Sequence, residues 1–156
     1  MEHIDNINHP PHYTSHPSGL ECIDFTERMN FCLGNAWKYL WRAGKKSGVI
    51  IGIKDHPAPG DEIATDKKAL EDIEKAVWYI NREIADRKGL ILRGQSVDSH
   101  MPATMMGRFN DFMRYESGTR ASVFLALFNA VQGVRTTAPL FDALKHIEAL
   151  KHEVVE

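Results

Sequence analysis

Apolar and polar positions alternate along this chain with helical rather than strand periodicity. Over residues 31–43, Leu33, Ala36, Trp37, Leu40 and Trp41 recur in steps of three and four while polar residues fill the opposite side, which predicts an amphipathic helix ended by Gly44. Upstream, Ser18-Gly19-Leu20-Glu21 has capping-box spacing and opens an expected helix over 20–29. A longer helix is expected over 61–88, where Leu70, Ile73, Val77, Ile80 and Ile84 form an apolar seam suited to a neighbouring helix or a second subunit. Further helices are expected over 103–116, 119–132 and 138–154, the last with Pro139 in its first turn.

The breaks between these segments are equally legible. Residues 1–19 carry prolines at 10, 11 and 17 and four histidines, a composition that resists regular structure and reads as an arm with few core contacts. Four glycines and two prolines over 44–61 surround Val49-Ile50-Ile51, which reads as a loop holding at most a short strand. The expected architecture is all-α: an arm (1–19), a helical core (20–88), a linker (89–102) and a C-terminal helical segment (103–156) given to packing or assembly. Large apolar groups at Phe124, Leu125, Leu127, Phe128, Val131, Leu140, Phe141, Leu144, Ile147 and Leu150 support that last assignment.

Composition narrows the function classes. With 156 residues and 43% hydrophobic content the chain can bury one core, and its net charge of −2 gives no global footprint for duplex nucleic acid. Any anion site must be local. Cys22 and Cys32 lack metal-type spacing and read as reduced structural thiols, and no apolar run is long enough to span a bilayer, so a cytoplasmic protein is expected.

Such a local site is visible on the helix over 31–43. At 100° per residue, Asn35, Lys38, Tyr39, Arg42, Lys45 and Lys46 fall within an arc of about 120° opposite the apolar side. Cations so grouped suit a di- or triphosphate, Arg42 offering a bidentate fork, although a solvated face complementing the helix dipole has the same pattern. A guanidinium there is expected to add little to core packing. Gly44-Lys45-Lys46-Ser47 is not a P-loop, because Tyr39 stands where the first glycine is required and a helix precedes it. In the arm, His12 and Tyr13 are candidates for phosphate or base contact, while His9, His12 and His16 lack an evident further metal ligand. Glu21 and Asp24 share a helix face and could present carboxylates to hydrated Mg2+; Asp72, Lys75 and Tyr79 lie on the polar side of the long helix.

Four blocks carry a family resemblance: His9-Pro10-Pro11-His12-Tyr13, Leu20-Glu21-Cys22-Ile23-Asp24, the run from Phe31 through Asn35, Lys38, Tyr39 and Arg42 to Lys46, and the run from Leu70 through Asp72 and Lys75 to Tyr79. In order and spacing they resemble the short phage proteins known as phage nucleotide kinases, similar to the early nucleotide kinase of T-odd podoviruses, over about residues 8–88. The resemblance implies phosphoryl transfer to deoxynucleoside monophosphates without a Walker motif, in the cytoplasm of an infected bacterium. By position it nominates His12, Tyr13, Glu21, Asp24, Asn35, Lys38, Tyr39, Arg42, Lys45, Lys46, Asp72, Lys75 and Tyr79.

Within that set we expect Lys38, Arg42, Lys45 and Lys46 to hold donor phosphates, His12 to bind phosphate or relay a proton, Tyr13 to stack on a base, and Glu21, Asp24 or Asp72 to hold Mg2+. The alternatives are an all-α, MazG-like nucleoside triphosphate pyrophosphohydrolase, whose ExxE and ExxD blocks are only approximated here, and a helical protein that sequesters nucleotides. A homo-oligomer joined through the apolar seam is expected, with a monomeric bundle folded over that seam as the competing arrangement.

Overall fold

The computed structural model describes residues 7–8, 10–43, 61–92, 102, 104–132 and 136–155, with the side chains of 11, 12, 61–66, 92 and 155 outside that description. Among the described residues the chain is all-α, with no strand, and runs α1 (Pro11–Thr14), α2 (Cys22–Thr26), α3 (Phe31–Arg42), α4 (Asp61–Leu92), α5 (Thr104–Met113), α6 (Gly118–Gln132) and α7 (Ala138–Val155). The expected Gly44 stop and the loop over 44–60 lie outside the described residues.

Four helices form the frame. α3 packs on α4, α4 on α7, α7 on α6 and α6 back on α3, which closes a bundle around one core. α6 buries Val123, Phe124, Ala126, Leu127, Phe128, Ala130 and Val131, a broad apolar face that leaves a stripe through Leu125, Asn129 and Gln132 exposed. α5 closes one side through Met105, Phe109 and Phe112, with Phe109 stacked on Phe128 at 3.9 Å between ring centroids. α7 brings Leu140, Ala143 and Ile147 into the core shared with Ile73, Ile80 and Ile84 of α4. The C-terminal segment therefore lies over the α4 seam within a single chain.

The local chemistry of each helix start explains its position. Asn30 caps α3, its side chain accepting from Leu33 N at 2.9 Å. α2 is shorter than the helix expected over 20–29, and its cap is not Ser18. Glu21 is the N-cap: its side chain accepts from the backbone of Asp24, while Asp24 Oδ2 accepts from Glu21 N at 2.8 Å. Ser18 instead closes a turn through Gly19, whose φ of 79° favours a residue without Cβ. α4 continues through Gly89 to Leu92, past the expected stop, and turns alanines as well as isoleucines inward: Ala69 and Ala76 are buried, leaving room for α3 to approach closely.

The N-terminal segment is more than an arm. It contains the single turn α1, begun by Tyr13 N donating to Pro10 O at 2.9 Å, and then inserts His16 into the core at 5% exposure. The His16 ring stacks on Phe112 at 4.6 Å and lies 5.2 Å from Trp41. Its Nδ1 meets Ser18 Oγ at 2.7 Å and its Nε2 meets Glu116 Oε1 at 3.2 Å. The expectation of few core contacts fails because the partner elements, α3 and the turn before α6, lie far away in sequence. No helix among the described residues is long and apolar enough to cross a membrane.

Candidate functional site

α1, α3 and α4 bring together most of the residues nominated from the sequence. Arg42, in the last turn of α3, is 8% exposed and donates from Nε and NH2 to Asp72 Oδ1 on α4 at 3.3 and 3.1 Å. From the other side its NH1 donates to the Tyr13 hydroxyl at 3.0 Å. Burial opposes the guanidinium charge, but the hydrogen bonds to Tyr13 and Asp72 outweigh it and hold the group above its ordinary value. Arg42 is thus a buried, oriented charge rather than a solvent-facing one, because α1 and α4 cover this end of the α3 polar face. Asp72 is likewise on the inner side of α4, at 3% exposure, and not opposite the seam. Its second oxygen, Oδ2, is buried with no hydrogen-bond partner among the described residues.

Around this pair the remaining candidates form an aromatic and cationic surface. Tyr39 stacks on Tyr79 of α4, with centroids 5.9 Å apart and planes inclined by 14°. Lys38 Nζ lies 4.7 Å, Arg42 Cζ 4.6 Å and Lys75 Nζ 5.5 Å from the Tyr39 ring centroid. Three cations therefore share one ring, an arrangement that cation–π attraction helps to hold against their mutual repulsion. Phe31 and Trp78 extend the aromatic band, meeting Tyr79 edge-on at 5.8 and 5.0 Å. Asn35 lies on the same side of α3, its amide donating to Phe31 O at 2.8 Å.

Several candidates take other places. Glu21 and Asp24 form the reciprocal α2 cap, so the sequence pair marks a helix start rather than a preorganised cation site. Tyr13 orients Arg42 through its hydroxyl, a different task from stacking on a base. Lys45 and Lys46 lie outside the described residues, as does the His12 side chain, although the His12 backbone belongs to α1.

The network behind the site was not legible in the sequence. Arg120 of α6 donates to the carbonyls of Leu40 and Trp41 at 2.7 and 3.3 Å, capping the end of α3 from which Arg42 projects. Glu116 holds Arg120 Nε at 2.8 Å and also meets His16. Burial works against the Glu116 carboxylate, but the hydrogen bond from His16 and the charge and hydrogen bond of Arg120 set it below the ordinary range. At the opposite end, fully buried Arg87 pairs with Glu83 at 3.0 Å and caps α6 through Ala130 O at 2.7 Å, while Asn30 Nδ2 donates to both Glu83 oxygens. Cys32, Glu83 and Asp86 place ligand-type atoms within 4.8 Å of one another. Burial, then Glu83 and Asp86, push the Cys32 thiol up, which disfavours the thiolate a metal would need.

Comparison with known proteins gives a limited family relation. Residues 7–55 match a family described as proteins of unknown function, DUF3310, about a third of the chain, taking in α1 to α3 but not Asp72 or Lys75 of α4. No curated protein and no solved structure matches the chain.

Proposed function

We propose that this chain is a nucleotide-binding phage protein that transfers a phosphoryl group from a nucleoside triphosphate to a (deoxy)nucleoside monophosphate. The observation that carries the reading is the convergence of Lys38, Arg42 and Lys75 on the Tyr39 ring beside buried Asp72, in a chain whose net charge is −2. Among the described residues Asp72 pairs with Arg42, and a polyphosphate complements the charges of Lys38 and Lys75 beside them. The phage setting and the substrate class rest on the sequence resemblance over residues 8–88.

In this mechanism an oxygen of the acceptor monophosphate attacks the terminal phosphorus of the donor. A new P–O bond forms as the bond to the donor's bridging oxygen breaks, leaving two diphosphates. The chemistry demands alignment and charge neutralisation rather than a covalent nucleophile. Arg42, pinned by Asp72 Oδ1 and the Tyr13 hydroxyl, presents its guanidinium in a fixed orientation. Lys38 and Lys75 supply compact charges at the rim. Mg2+ bound with the triphosphate would supply charge neutralisation. Among the described residues the Asp72 carboxylate, whose Oδ2 has no hydrogen-bond partner there, would be the group to hold it, whereas Glu21 and Asp24 are engaged in their cap. His12, Lys45 and Lys46 belong to the proposal through sequence position alone.

A pyrophosphohydrolase requires several carboxylates around its metal, and among the described residues the ion pairs of this cluster include one, Asp72, which supports transfer over hydrolysis. The deciding experiment incubates the pure chain with nucleoside mono- and triphosphates, with and without Mg2+, and resolves the products. Diphosphates from both substrates support the kinase; monophosphate plus pyrophosphate identifies a hydrolase, and unchanged bound ligand a sequestering protein.

A further inference from the structure

Along α3 from Arg42, toward the start of the helix, a cleft of about 250 Å3 is lined by Thr26 and Met29 from the preceding segment and by Phe31, Gly34, Asn35 and Lys38 of α3. Gly34 forms part of its wall. It sits inside a helix, where glycine is unfavourable relative to alanine, and its φ is not positive. A Cβ there would meet Thr26 O at 3.6 Å and Met29 Cβ at 3.8 Å, ordinary contact distances. Neither backbone conformation nor close packing therefore requires glycine. What a larger side chain would remove is the open space of the cleft.

The surrounding groups suit a flat heteroaromatic ring. Phe31 is 74% exposed and offers an aromatic ring to a ligand, and Met29, which also lines the cleft, adds a polarizable thioether. Asn35 uses one amide hydrogen on Phe31 O, which leaves its side-chain carbonyl and second N–H for the edge of a ligand. Lys38 belongs both to the cleft and to the cationic surface around Tyr39. Phe31, Asn35, Lys38 and Arg42 follow a four-three-four spacing, which places them within an arc of about 60° and spreads them over roughly 16 Å of helix. That span matches an extended nucleoside triphosphate lying along α3.

We propose that this cleft is a nucleobase subsite: the base stacks on Phe31 beside Gly34, Asn35 meets its polar edge, and Lys38 takes the phosphate nearest the sugar while the tail runs toward Arg42. The inference rests on the nucleotide-binding reading above and assigns that site its base-recognising end.

The test titrates the full chain and its Gly34→Leu and Phe31→Ala variants with the four deoxynucleoside triphosphates and, separately, with inorganic tripolyphosphate, in Mg2+ buffer. Tripolyphosphate reports the phosphate face alone. Nucleotide affinity is expected to fall about tenfold in each variant, the scale of one lost base-stacking contact, with tripolyphosphate affinity unchanged. Wild-type binding of both ligands, with nucleotide affinity undiminished in the variants, overturns the subsite and leaves the phosphate face standing. Equal losses for both ligands also overturn it. If the wild type binds neither ligand, the nucleotide reading itself fails. Should Gly34→Leu melt early, Phe31→Ala decides, since that exposed ring contributes little to the fold.

Discussion

Arg42 and Asp72, thirty residues apart in sequence, meet at 3.1 Å with both side chains nearly enclosed. Removing the cation would leave a buried carboxylate without its partner, so Arg42→Ala should lower stability by about 3–5 kcal/mol. This reverses the expectation, drawn from the helical wheel, that the residue could be replaced at little cost to the fold. Denaturant titration of Arg42→Ala and of Arg42→Met/Asp72→Leu separates the two contributions: the double variant should recover much of the stability and none of the nucleotide binding. Wild-type stability in Arg42→Ala would show that the pair is not buried in solution.

The N-terminal segment offers a second test, since His16 fills space between Trp41 and Phe112. Deleting residues 1–17 should destabilise the protein by about 2–5 kcal/mol through the cavity left behind, and His16→Ala should reproduce part of that loss. Thermal melting of both proteins checks this. An unchanged melting temperature would return the segment to the peripheral arm expected from its prolines and histidines.

These two cases show where sequence reading stops. Helical periodicity located α3, α4, α6 and α7, and the same one-dimensional pattern put Lys38, Tyr39 and Arg42 on the polar side of one helix and Lys75 and Tyr79 on the polar side of another. It could not tell that α1 and α4 cover one end of the α3 stripe, because Tyr13 and Asp72 reach Arg42 across separations of 29 and 30 residues. His16 and Glu116 are 100 apart, and Arg120 and Leu40 are 80 apart. Glu83 and Arg87 have the spacing of an ordinary surface pair, and nothing local signals that α6 ends against them. Ala69 and Ala76 carry too little hydrophobic weight to mark the inner face of α4.

Acid should act through Glu116. Its folded-state value lies below the ordinary 4.5, so the charged carboxylate stabilises the fold above that pH, and the contribution is lost as pH falls through the depressed value. Glu116→Gln should be less stable at neutral pH and show a flatter stability profile below pH 4.5. Parallel profiles for the two proteins in acid denaturation would remove Glu116 from the account.

We propose further that the chain self-associates, since Trp78, Leu125 and Phe141 stay exposed although α7 covers the α4 seam. Light scattering at dilute and high protein concentration should give a multiple of 17.7 kDa, lowered toward the monomer by Trp78→Ser. A monomer mass under both conditions counts against the oligomer and against any site shared between chains.

Whether the cations gathered on Tyr39 bind nucleotide phosphates is read most directly by calorimetric titration of a nucleoside triphosphate into the wild type and Lys38→Ala/Lys75→Ala. Both lysines lie at the rim, so the double variant should keep the wild-type melting temperature while losing most of its nucleotide affinity. Equal affinity in the two proteins would contradict phosphate binding there and leave the lysines as part of a solvated helix face.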